Sequence, residues 1–251
     1  MFTDTHCHIY KEYYNDIDKL LLECKNNNVG YFINSGSDTK SNEEVIDLIS
    51  KYDCMYGSIG LHPEEALNYS EKDIQVIENN LSNPKIIAIG EIGLDYHYDK
   101  EHKEEQKKLF KLQLQIAEKH KIPVIIHSRN ATEDTINILK QYNVKGTIHS
   151  FSGSFETAMI YIKMGFLLGV NGVVTFTNSN LKDTLLKINP KNIVLETDSP
   201  YLTPHPYRGT KNSPKNIKLI AEFLSNLYNI SLEELQQITA KNITELYKIK
   251  Q

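Results

Sequence analysis

Short apolar runs alternate with amphipathic stretches along the whole chain, and this alternation limits the folds open to it. Apolar segments begin at Phe2, Tyr31, Met55, Ile86, Pro123, Gly146, Phe166 and Asn192. Between them lie stretches with apolar residues at helical spacing, such as Ile17, Leu20, Leu21 and Cys24 in the span from Tyr13 to Asn28. The pattern makes about eight strand–helix units of roughly 30 residues each, which is the signature of a (β/α)8 TIM barrel. Several strands are continuous apolar runs, as parallel strands covered on both faces must be. An open doubly wound sheet is the competing fold, but it does not gather residues from the first and last strands at one spot. No linker, low-complexity stretch or sequence repeat interrupts the pattern, so residues 1–251 read as one domain.

The same reading predicts strands over Met55 to Ile59, Ile86 to Ile89 and Pro123 to Ile126, and a long helix from His102 to His120. Ser41 with Glu44, and Ser231 with Glu234, are capping-box pairs expected to open helices.

Chemistry collects where the strands end. In Thr5-His6-Cys7-His8 the side chains alternate faces, so His6 and His8 point one way and Cys7 the other. Glu91 follows the fourth strand, His127 the fifth, His149 the sixth and Asp198 the eighth. A barrel brings such ends to one mouth, where active sites of this fold lie. Four imidazoles and two carboxylates there are too many ionisable groups to leave unpaired, and divalent metal is the natural solution. The nitrogen and oxygen donors suit Zn²⁺ or Mn²⁺ better than an all-oxygen Mg²⁺ cage. Six ligands exceed one tetrahedral site, and a carboxylate bridging two ions, with Glu91 the best placed, makes a two-metal site.

A lone histidine at a strand end is usually a hydrogen-bonded structural residue; six ligand-type residues at strand ends are not explained that way. His97, His102 and His120 lie on or beside a helix and read as solvent-exposed, and His205 stays undecided between roles. Cys7 reads as a small buried hydrophobe. Asp16, Asp18 and Glu23 read as a solvated helix face. Around the expected mouth, His62 is placed to contact substrate, with a loop-fixing hydrogen bond as the bland alternative. Arg129 shares the face of His127 if the fifth strand continues, and suits a phosphate oxygen. Arg208 and Lys211 either clamp an anionic substrate or pair with local carboxylates. Asp95 and Tyr96 are candidates for orienting the ligands.

The net charge is −4, from 28 Lys and Arg against 32 Asp and Glu, which argues against broad electrostatic binding of nucleic acid but not against a local positive site made by metal ions. Three cysteines without regular spacing point to a reducing compartment rather than a disulfide framework. The N-terminus carries no signal-peptide pattern, and no apolar run approaches the ~20 residues that span a bilayer. A soluble cytoplasmic protein without a membrane partner, and with no obligate protein partner readable, is the expectation.

Six segments together resemble the TatD-type metal-dependent hydrolases of the amidohydrolase-like barrels. They are Asp4-Thr5-His6-Cys7-His8, Gly60-Leu61-His62-Pro63, Gly90 to Tyr96, Pro123 to Arg129, His149-Ser150-Phe151-Ser152-Gly153 and Glu196 to Leu202, with Pro206-Tyr207-Arg208-Gly209 and Asn212 fitting as well. The resemblance covers essentially the whole chain in order. It implies a deoxyribonuclease, often a 3′-to-5′ exonuclease on single-stranded DNA, with RNA a further possible substrate. It also implies one metal on His6, His8, Glu91 and Asp198, a second on Glu91, His127 and His149, and a water activated by both. Asp198 is then the expected proton acceptor and Glu91 the second catalytic carboxylate. The physiological metal stays open among Mg²⁺, Mn²⁺ and Zn²⁺. Two rivals share these residues: a hydrolase of another bond, such as an aminoacyl ester or amide, and a metal-binding protein without turnover. Chelator-sensitive degradation of single-stranded DNA separates the first, and a site closed to solvent favours the second.

Overall fold

The structure is a computed structural model that describes residues 1–249. Strands and helices alternate as β1 (Phe2–Cys7), α1 (Ile17–Asn26), β2 (Val29–Ser35), α2 (Thr39–Lys51), β3 (Met55–Ile59), α3 (Glu71–Asn80), β4 (Ile86–Asp95) and α4 (Lys103–His120). They continue as β5 (Val124–Arg129), α5 (Thr132–Leu139), β6 (Gly146–Ile148), α6 (Phe155–Lys163), β7 (Leu167–Val170), α7 (Leu181–Leu185), β8 (Ile193–Leu195), α8 (Ile217–Tyr228) and α9 (Leu232–Tyr247). The strands form one sheet in chain order, β1 through β8. Parallel neighbours with a helix between each pair make this the (β/α)8 barrel fold. By their contacts the described residues fall into two compact units, described here in turn.

The first unit holds residues 1–34, 150–163 and 167 onward. Here β1 pairs with β2, Asp4 opposite Phe32, and β7 pairs with β8, Val170 opposite Leu195. Every residue of β1 is buried. Helix α8 turns Ile217, Ile220, Ala221 and Leu224 inward, the spacing of one helical face. Burying each of the larger side chains contributes ~1.5–3 kcal/mol. Helix α9 starts where Ser231 Oγ accepts from the Glu234 N–H at 3.0 Å, as its sequence predicts. Helix α1 starts four residues later than its periodicity suggests, because Asp16 caps it, accepting from the Lys19 N–H at 2.9 Å. Tyr13 and Tyr14 belong instead to a turn whose N–H groups both donate to the Tyr10 carbonyl. Asp16 is exposed, as expected, and also serves as the cap, while Glu23 accepts from Lys215 Nζ at 2.8 Å.

The second unit holds residues 35–149 and 164–166. Its core is β3, β4, β5 and β6, with β4 paired to β5 from Ile89 opposite Val124 to Asp95 opposite Arg129. Both strands run further than their apolar runs do. Glu91, Gly93 and Asp95 read as loop in the sequence, yet all ten residues of β4 are buried and the ladder continues beside them. Glu91 and His127 thus lie inside strands, not after them. Gly93 makes the close pairing possible: its φ is +147°, and a Cβ there would sit 1.9 Å from the His127 carbonyl oxygen. Helix α2 opens with Asp38 as its cap; Ser41 lies three residues on and its hydroxyl accepts from the Asp38 N–H at 2.9 Å.

Candidate metal-binding triads

In the first unit the β1 register carries straight into the loop after β8. The Asp198 N–H donates to the His6 carbonyl at 2.9 Å, and the His8 N–H donates to the Ser199 carbonyl at 2.7 Å. Asp4 ties the same two segments from beneath, its carboxyl accepting from the Thr197 N–H at 2.9 Å and from the Thr197 hydroxyl at 2.5 Å. Burial pushes the Asp4 carboxyl well above its ordinary pKa, against the pull of those bonds. Thr5 adds a bond from its hydroxyl to the Leu195 carbonyl at 2.9 Å.

That lacing brings three donor atoms to one place. His6 Nε2 and His8 Nε2 lie 3.2 Å apart, and each is 3.5 Å from Asp198 Oδ1. Three ligands held ~2.0–2.1 Å from one ion at tetrahedral angles stand about 3.3–3.4 Å from one another. The triangle fits a divalent cation and fits no set of three mutual hydrogen bonds between imidazoles and one oxygen. Tyr10 steadies one corner, its hydroxyl 3.2 Å from His8 Nδ1. Cys7 points the other way, buried, its thiol donating to the Ile33 carbonyl. The Asp198 side chain is 14% exposed, so solvent reaches the triangle.

In the second unit Glu91, His127 and His149 form another group with ligand spacing. Glu91 Oε1 is 2.7 Å from His127 Nδ1 and 3.7 Å from His149 Nε2. The other His127 nitrogen, Nε2, is 2.9 Å from Asp95 Oδ2. Burial works against the imidazolium, but the flanking carboxylates of Asp95 and Glu91 outweigh it and raise the His127 pKa to about 9. Burial likewise works against charge on Asp95, yet bonds from His127 and from the Tyr98 and His97 N–H groups hold it down to about 2. Nδ1 of His127 is the nitrogen that would face a cation, with Asp95 holding the ring from Nε2. A carboxylate behind a metal-binding histidine fixes the ring and makes it a better ligand.

His62 makes the loop-fixing hydrogen bond and also lies beside Glu91. Its Nδ1 accepts from the Glu64 N–H at 3.4 Å, and its Nε2 stands 4.0 Å from Glu91 Oε1. Its ring meets that of His127 edge-on at 4.5 Å. Strand β5 does continue through Arg129, whose guanidinium rests over the exposed Tyr98 ring at 4.8 Å. Arg208 lies over Phe176 at 4.0 Å. Lys211 donates to the Tyr13 carbonyl and lies over the Tyr14 ring at 4.8 Å, so it braces the loop after β8. Tyr96 donates to Asp134, away from the ligands. His102 and His120 pair with Asp99 and Glu78, and His97 and His205 are exposed.

A set of buried amides escapes sequence reading. Asn34 accepts from the Ile9 N–H at 2.7 Å and donates to the Ile9 carbonyl at 3.0 Å, fixing the chain just past His8. Gln113 does the same for Leu61, beside His62, and Gln106 for Asp95. Asn212 donates to the Thr197 and Tyr201 carbonyls, on either side of Asp198. Each stands in for a missing backbone partner. Nothing periodic marks such residues in the sequence; only the Asn after Pro206-Tyr207-Arg208-Gly209 carries a motif signal.

Known proteins match the chain throughout. A family model described as TatD related DNase matches residues 3–248. The Bacillus subtilis (strain 168) protein named uncharacterized metal-dependent hydrolase YabD is 38% identical, the match covering 99% of this chain and 100% of that protein. The Escherichia coli (strain K12) protein named uncharacterized metal-dependent hydrolase YcfH is 32% identical over 98% of this chain and 95% of its own. The crystal structure of YjjV, a TatD homolog from Escherichia coli K12, superposes with a TM-score of 0.94 at 28% identity, covering 99% of this chain and 98% of that one.

Proposed function

Since the chain belongs to the family of TatD-related DNases, we propose that it is a divalent-metal-dependent hydrolase of phosphodiester bonds, acting on single-stranded DNA from the 3′ end. The observation that carries this reading is the His6, His8 and Asp198 triangle, three donor atoms 3.2–3.5 Å apart and open to water. One ion is assigned to that triad and one to Glu91, His127 and His149. Bound there, divalent ions lower the pKa of water toward neutrality and offset charge growing on phosphoryl oxygens.

The chain's own residues do the rest. His6 and His8 hold their donor atoms in place through the β1 ladder. Asp198, on a backbone kept at φ +55° by the loop after β8, accepts the proton of the attacking water. Glu91 supplies the oxygen shared by the second group, and Asp95 holds the His127 ring. His62, aimed at Glu91, stands ready to meet a phosphoryl oxygen. Arg129 and Arg208, resting on Tyr98 and Phe176, are assigned to the phosphates of the substrate. The three free thiols of Cys7, Cys24 and Cys54 fit a reducing, cytoplasmic setting. No helix among the described residues is long and apolar enough to cross a membrane.

The test is a metal-dependence series on single- and double-stranded DNA and RNA labelled at either end. Loss of label from the 3′ end of single-stranded DNA, stopped by chelator and restored by Mg²⁺, Mn²⁺ or Zn²⁺, is the expected result. Intact oligonucleotides under every metal, with the triads loaded, would contradict it.

A further inference from the structure

Next to the first triad stands a group of tyrosines, of which only Tyr10 bonds to a triad side chain. Tyr10 and Tyr201 flank His8, and Tyr13 packs against both. The His8 ring lies 5.7 Å from Tyr10 and 6.2 Å from Tyr201, centroid to centroid. Tyr13 meets Tyr201 edge-on at 6.1 Å, and their hydroxyls are 2.9 Å apart. Tyr10 lies buried beneath, whereas Tyr201 is 50% exposed. A half-exposed aromatic ring usually moves freely, but this one is held at both ends. Its N–H donates to the Asp198 carbonyl at 2.8 Å, its carbonyl accepts from Asn212 at 2.6 Å, and its hydroxyl is fixed by Tyr13. The bond to Asp198 ties the ring's position to that of a metal ligand three residues back.

We propose that the Tyr201 ring, braced by Tyr13, is the platform on which the base of the nucleotide at the cleaved linkage stacks. This rests on the phosphodiesterase reading. A phosphate at the first triad carries its base within one nucleotide's reach, and Tyr201 offers the exposed π-face at that range. Stacking on an aromatic ring tolerates any base, because every base has a π-face. It also demands an unpaired strand, since a base inside a duplex has both faces covered. The platform therefore supplies a physical reason for preferring single strands over duplex without reading sequence. The chain continues from Tyr201 into a cleft of about 830 Å³ beside α1, lined by Tyr207 and by Lys19, Lys211, Lys215 and Lys218. Three acids share the cleft: Asp16 caps α1, Glu23 pairs with Lys215, and Glu222 lines the wall as well. The cleft offers the remainder of a bound strand the Tyr207 ring and the ammonium groups of Lys19 and Lys218.

The experiment compares wild type with Tyr201→Ala and Tyr201→Phe on two short single-stranded oligonucleotides, one intact and one with an abasic site at its 3′-terminal nucleotide. Affinity for phosphorothioate-linked versions, measured by fluorescence anisotropy on metal-loaded protein, is read separately from cleavage. Wild type is expected to favour the intact strand, and Tyr201→Ala to lose roughly 5- to 150-fold in affinity for it, the range of one base–aromatic stack. The preference for intact over abasic strand should collapse toward one in Tyr201→Ala and persist in Tyr201→Phe, which keeps the ring. Equal affinity of wild type and Tyr201→Ala, or an equal loss on both strands, would overturn the platform, the second outcome marking a purely structural role. A wild type that binds the strands but cleaves neither would instead sink the nuclease reading, and the affinity ratios would still decide the platform.

Discussion

His127 is held between two carboxylates, and the one at Nε2 sets its tautomer. Asp95 Oδ2, 2.9 Å from Nε2, sets the tautomer that turns Nδ1 toward Glu91. Asp95→Asn keeps the shape and a hydrogen-bond acceptor but removes the charge. The expected result is a ~10–100-fold loss of affinity for the ion at Glu91, His127 and His149, with the fold intact, measured by titration calorimetry with Zn²⁺ or Mn²⁺. Unchanged affinity would mean that Asp95 is only a loop anchor for the Tyr98 and His97 N–H groups. At this scale the ligand-type residues were legible because histidine and carboxylate side chains at strand ends are unusual. Their supports were not. Asp4 reads as an ordinary polar residue at the start of a motif, but in the fold it is a buried carboxyl binding Thr197 beside Asp198.

Helix α4 illustrates what can and cannot be read at the level of an element. Its apolar stripe, with Leu109, Phe110, Leu114 and Ala117 buried, follows from periodicity. Gln106 and Gln113 lie two turns apart on the same buried face, where a polar residue breaks the expected pattern. They are buried because they complete backbone groups at Asp95 and Leu61, the segments that carry the His127 partner and His62. Gln113→Leu strands one N–H and one carbonyl, each costing ~1–3 kcal/mol when left unsatisfied. Urea unfolding should register a larger loss than Ser231→Ala, which removes one exposed cap worth ~1 kcal/mol. A smaller loss for Gln113→Leu would mean that water reaches Leu61. Strand β4 outruns its apolar pattern for a related reason: Glu91, Gly93 and Asp95 resemble loop residues, while their burial comes from the neighbouring strand. Gly93→Ala drives a methyl into the His127 carbonyl, so a large fall in melting temperature is expected. A variant as stable as wild type would show that β4 and β5 separate easily.

For the whole molecule, the eight-fold alternation was enough to read the (β/α)8 fold, because buried parallel strands and amphipathic helices leave distinct periods. Element ends were displaced by caps and turns, such as Asp16 and Asp38, whose choice depends on local geometry more than on pattern. Net charge has a consequence of its own. A chain at −4 can hold a polyanion only through a few local contacts, so affinity for single strands should depend weakly on salt. Each neutralised phosphate adds about −0.7 to the slope of log K against log salt, and a slope steeper than about −3 would point to a broad basic surface instead. The central claim, that each triad holds a divalent ion, is tested most directly by metal content per chain after reconstitution. Elemental analysis should find two ions in wild type, one in His6→Ala paired with His8→Ala, and one in His127→Ala paired with His149→Ala, each variant still folded. Wild-type content below two, or two ions retained in either double variant, would contradict it.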